Sequence, residues 1–122
     1  MNTSTLFISF YFWLMINIAS PDISFHEGRA HDFGEVKVNT STKHRFNFVN
    51  AGDSSLKVLN VTTTCGCTIA EYSKSVAPSD TGFVDVVYAA GSSAGVFKKY
   101  VMVMTNTSNQ VDKLTIFGKV VQ

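Results

Sequence analysis

Apolar and polar residues alternate over short stretches along most of this chain, and that alternation predicts strands. In Lys43-His44-Arg45-Phe46-Asn47-Phe48-Val49, Phe46 and Phe48 share one face, and the run stops at the turn-forming Asn50-Ala51-Gly52-Asp53. Leu56 to Thr63 is rich in β-branched residues, but its apolar phase slips between Val58 and Leu59, which predicts a bulge or burial on both sides. Val84, Val86 and Tyr88 alternate within Gly82 to Tyr88. From Val96 to Thr105, Val101 and Val103 take one face, while Tyr100, Met102 and Met104 take the other. Leu114, Ile116 and Val120 mark a last strand, and Phe33, Val36 and Val38 an early one.

Turn residues separate these runs at Asn39-Thr40-Ser41, Pro78-Ser79-Asp80, Gly91 to Gly95 and Asn106 to Gln110. Past Pro21 no stretch has helical periodicity. A succession of about seven short strands with punctuated turns predicts an all-β fold, an antiparallel immunoglobulin-like sandwich. Gly91-Ser92-Ser93-Ala94-Gly95 has the spacing of a nucleophile elbow, but a strand follows it where that motif needs a helix. It reads as a hairpin connection, and no catalytic residue is expected.

The first 20 residues follow a different pattern. They hold 13 hydrophobic side chains, the only tryptophan (Trp13) and no charge. The apolar run from Leu6 to Ala19 is shorter than the roughly 20 residues that cross a bilayer. It reads as a signal peptide over residues 1–20, with small residues at Ala19 and Ser20 before Pro21 suiting cleavage. An uncleaved anchor is the alternative, because no Lys or Arg precedes Leu6. Residues 21–122 then form one exported domain, periplasmic, in the cell envelope or secreted, which contacts a membrane only if the leader is retained.

Composition adds exclusions. Ten Lys+Arg against nine Asp+Glu leave +1, so no strongly basic character points to nucleic acid. Both cysteines fall in Thr63-Thr64-Cys65-Gly66-Cys67-Thr68, between a strand and an expected loop. In an oxidising compartment Cys65 and Cys67 form a small strained disulfide, hold copper or zinc, bond to another protein, or simply pack. His31, His44, Met102 or Met104 are the auxiliary ligands for a metal, and no cofactor is expected otherwise. No two of the histidines His26, His31 and His44 are four residues apart, as a helical ligand pair would be. If Val101 and Val103 point inward, then Tyr100, Met102, Met104 and Phe117 form an apolar stripe on the outer face, a candidate partner surface. Past Pro21, Asn-x-Ser/Thr triplets at Asn39, Asn60 and Asn106 arise readily in a chain this rich in those residues.

His31-Asp32-Phe33-Gly34, Phe46 to Gly52, Cys65-Gly66-Cys67-Thr68, Ala77-Pro78, Gly95 to Lys99 and Leu114 to Val120 together resemble the bacterial family catalogued as domain of unknown function 1573, over about residues 24 to 121. The resemblance implies an exported immunoglobulin-like sandwich, common in Bacteroidota and similar to major sperm protein and hydin-type domains. It implies no established activity. It also repeats His31 beside Asp32. Pro78-Ser79 departs from the Pro-Gly turn that the family leads one to expect. The expected function is therefore a non-enzymatic binding or adhesion module of the cell envelope, whose partner is a protein or envelope component. The alternative is a thiol-redox or copper(I)-binding protein using Cys65 and Cys67.

Overall fold

The computed structural model describes residues 18–64 and 66–122. The expected leader falls outside these residues as far as position 17, and so does Cys65. Nine strands follow in order: β1 (Ile23–Ser24), β2 (Ala30–Lys37), β3 (Ser41–Asn50), β4 (Leu56–Thr63), β5 (Cys67–Tyr72), β6 (Ser75–Val76), β7 (Thr81–Ala89), β8 (Gly95–Thr105) and β9 (Val111–Val121). They form two packed sheets, β1-β3-β7-β5 and β2-β9-β8-β4-β6.

The alternating runs place the core as read. Phe46, Phe48, Val84, Val86 and Tyr88 point inward from the four-stranded sheet and are buried. Val101, Val103, Leu114 and Ile116 meet them from the five-stranded sheet and are fully buried. Each such side chain contributes about 1.5–3 kcal/mol by leaving water. The phase slip in β4 is a bulge: the register against β8 shifts between Val58 and Asn60, and Leu59 is left 65% exposed. The extra residue turns one side chain out while Val58 and Val61 keep facing the core.

Three expectations are corrected. There are nine strands against the expected seven or so: the six runs read from the sequence are joined by the two-residue β1 and β6 and by β5, which begins at Cys67 where a loop was expected. A register shift between Ile69 and Glu71 breaks the alternation in β5 and hides it. The ladder is not wholly antiparallel, since β2 pairs with β9 in parallel, Ala30 beside Thr115 and Lys37 beside Val121. Parallel neighbours need a long crossover, and here every strand from β3 to β8 lies between them. The Gly91 to Gly95 segment is not a hairpin either, because β7 and β8 lie in different sheets.

Asn50 ends β3 with no exposed surface and holds the base of the sandwich together. Its side-chain oxygen accepts from the amides of Asp22 and Gly52, and its NH2 donates to the carbonyls of Ser54 and Val76. Ser20 joins the same end, its amide donating to Asp53 Oδ1 at 2.7 Å.

Candidate functional site

Cys67 opens β5 at the opposite end. Its amide donates to Thr64 O at 3.3 Å in a reverse turn where Gly66 takes φ 92°, a conformation open to glycine without steric penalty. Thr63 Oγ1 donates to Cys67 O at 3.1 Å. Cys67 lies opposite the inward-facing Tyr88 and, among the described residues, has a free thiol. Burial pushes that thiol up, with the Lys99 ammonium partly opposing it. A thiol held protonated is a poor nucleophile.

The proposed auxiliary ligands do not gather round it. Met102 and Met104 lie on the outer face of the other sheet, and His31 lies on β2, across the sandwich from β5. Among the described residues no three His, Cys, Asp or Glu side chains come close enough to hold a metal ion.

His31 instead meets His44. The rings stack with centroids 3.6 Å apart and 8° between planes, one from each sheet, closing the edge between β2 and β3. Phe33 stands edge-on to His31, and Phe46 to His44. Burial lowers the His44 pKa, the neighbouring His31 lowers it further, and Glu27 opposes both. In the unfolded chain His44 titrates near 6.5, so the folded chain gives up this proton more readily. The stability tied to the neutral ring is therefore complete above that pH and is lost as acidification carries the protein through the lowered value. Thermal melts between about pH 7.5 and 5 should show a falling midpoint that flattens in His44→Phe, which keeps an aromatic ring in the stack. An unchanged slope in that variant would assign the acid sensitivity elsewhere.

A second charged group sits on the outer face of the four-stranded sheet. Asp85, nearly inaccessible, receives Arg45 Nε at 2.7 Å and Nη2 at 3.0 Å, with Lys43 at 3.6 Å. The Arg45 hydrogen bonds hold its carboxyl below the usual carboxylate range. Arg45 also lies over the Phe83 ring at 4.0 Å. This cluster is internally satisfied and leaves little charge free to recruit a ligand.

The outer face of the five-stranded sheet is different. With Val101 and Val103 buried, Tyr100, Met102 and Met104 are half-buried on its outer surface, and Phe117 is 37% exposed. Val96, at 84% exposure, and Leu59 extend the apolar surface beyond the stripe read from the sequence. Phe117 sits opposite Lys98, one step along from the Tyr100–Thr115 pair, so it continues the stripe diagonally. A shallow groove of about 700 Å³ runs between Val96 and Phe117 over Gly118. Val96 and Leu59 could have been found in the sequence: Val96 has the same parity as Tyr100, and Leu59 lies at the phase slip.

Comparisons with known proteins agree with this architecture. An ASH/PapD-like domain of human CEP192 is similar at TM-score 0.66 and 8% identity, over 84% of this chain and 86% of that one. A Porphyromonas gingivalis protein of unknown function is similar at TM-score 0.66 and 13% identity, over 83% of this chain. The match spans less than half of that protein, 46%. The secreted serine protease VesC of Vibrio cholerae contains a similar fold at TM-score 0.62 and 14% identity, covering 88% of this chain and 24% of the protease. At such identities the likeness establishes the immunoglobulin-like sandwich fold and nothing about activity. No curated protein matches the sequence. A family model described as a protein of unknown function, DUF1573, matches residues 23–120.

Proposed function

Since the chain belongs to the DUF1573 family, whose description assigns no function, we propose from its surface that it is a non-enzymatic binding module exported to the cell envelope. The reading rests on one observation: the outer face of β8 and β9 keeps Val96, Phe117 and the Tyr100-Met102-Met104 stripe at the surface instead of in the core. Rigid sheets present such side chains in fixed register, and methionine adapts its shape to what docks on it. Export follows from the leader read in residues 1–20 and is part of the same proposal.

The alternative, a thiol-redox or copper(I)-binding protein, depends on Cys65, outside the described residues, and on Cys67. Burial of the Cys67 thiol works against the redox role, and the placement of Met102, Met104 and His31 away from Cys67 works against the copper role.

Site-specific crosslinking tests the docking face. A photoreactive phenylalanine analogue placed at Phe117 in cells should crosslink to a discrete envelope component. The same analogue at Asn47, on the outer face of the other sheet, should not. Equal crosslinking from both positions, or none from Phe117, would remove the basis for the proposal.

A further inference from the structure

Building on that docking face, we infer that its occupant is an acidic, apolar polypeptide segment, with carboxylates that meet a lattice of lysines while its apolar side chains settle on Tyr100, Met102 and Phe117. The net charge of +1 conceals how unevenly charge is distributed. Strands β4, β8 and β9 are adjacent and carry Lys57, Lys98, Lys99, Lys113 and Lys119, half of the ten Lys+Arg in the chain. Their single acid, Asp112, is buried and paired with Arg29. All of these lysines except Lys99 alternate outward.

The register interleaves the cations with the apolar residues. Across β8 and β9, Val96 faces Lys119, Lys98 faces Phe117, and Met102 faces Lys113. Lys113 Nζ lies 4.8 Å from the centre of the Tyr100 ring. Acids reach this face only from the edge strand β2. There Glu35 lies beside Lys119 and Asp32 beside Phe117, Asp32 also accepting the Gly34 amide at 2.8 Å. Two exposed carboxylates at the edge thus stand against the outward lysines Lys57, Lys98, Lys113 and Lys119. An arriving segment therefore meets apolar surface and positive charge at neighbouring positions in the lattice.

This pattern selects among occupants. A second copy would bring lysines against lysines, an arrangement that costs rather than stabilises. A lipid surface fits less well: Lys98 and Lys119 can snorkel, but a uniform layer of anionic headgroups would meet the exposed Asp32 and Glu35 carboxylates, which a polypeptide with spaced acids avoids. A polypeptide with interspersed Asp or Glu can satisfy both components: the apolar contacts supply affinity, and the lysines supply selectivity and a salt-dependent association rate.

The test uses the full chain and two pools of short synthetic peptides. One mixes Asp and Glu with Leu, Phe, Tyr and Val, and the other replaces the acids with Asn and Gln. The acidic pool should be retained about tenfold more strongly, with the preference shrinking in high salt. The variant K98E/K113E/K119E should lose the preference, K98Q/K113Q/K119Q should weaken it, and Phe117→Ser should lower retention while leaving the preference in place. Equal retention of both pools would overturn the inference, as would a preference that survives charge reversal. Binding to phosphatidylglycerol vesicles without peptide retention would overturn it in favour of a lipid surface. If Phe117 crosslinks in cells but the acidic pool shows no advantage, the docking reading stands and only the partner chemistry fails. Loss of both takes the docking face with it.

Discussion

Replacing Asn50 with alanine should destabilise the domain by about 4 kcal/mol. The side chain makes four hydrogen bonds from a position with no solvent exposure, and they tie the segment before β1, the turn after β3 and β6 to one point. Alanine removes the acceptor of two amides and one donor from each of two carbonyls. The Val76 carbonyl is buried, so water cannot readily replace the lost donor. Urea denaturation checks this: the midpoint should fall while the slope with denaturant stays unchanged. Asn50→Asp should fare no better, because it keeps the acceptor but removes both donors and buries a charge. A loss under about 1 kcal/mol would mean that the base of the sandwich is hydrated and that Asn50 is an ordinary turn residue.

Gly82→Val sets two physical effects against each other. Valine is the better strand former by up to about 1 kcal/mol, so propensity alone predicts stabilisation. Packing predicts the opposite. Gly82 pairs across the ladder with Phe48, and a Cβ there would lie 2.5 Å from Phe48 Cζ and 2.7 Å from Val76 Cγ2. Phe48 is itself fully buried and packed at a tilt against Phe25, centroids 5.6 Å apart, so its ring cannot swing clear. The expected cost is about 3 kcal/mol. Phe48→Ala in the Gly82→Val background should cost less than in the native chain, giving a clear coupling in the double-mutant cycle. Additive losses would show that glycine is not there to admit the ring.

What could be read from the sequence was local periodicity. The burial of Phe46 with Phe48, the phase slip at Leu59 and the division of β8 into Val101/Val103 and Tyr100/Met102/Met104 all follow from side-chain parity along a single strand. What escaped depended on contacts distant in sequence. Nothing in the neighbourhood of His31 announces that His44 will stack on it from the other sheet, and nothing near Asp85 announces Arg45. Strand β5 escaped for a different reason, since the Cys-Gly-Cys punctuation and the shift between Ile69 and Glu71 erase its alternation. Asn50 was legible as a turn former, but its role in joining three segments was not. Of the site itself, the apolar stripe was visible in advance, whereas the lysine lattice needed the register of β8 against β9.

The parallel pairing of β2 with β9 also bears on mechanical load. Residue 23 lies at the Asn50 end of the sandwich, and residue 121 lies at the other end, beside Val38. Tension between these two points pulls β2 toward its start and β9 toward its finish. The ladder from Ala30–Thr115 to Lys37–Val121 is then loaded along its length, so its hydrogen bonds bear the force together instead of peeling one at a time. A module tethered at one end and gripping a partner through elements near the other would carry strain through its strongest direction.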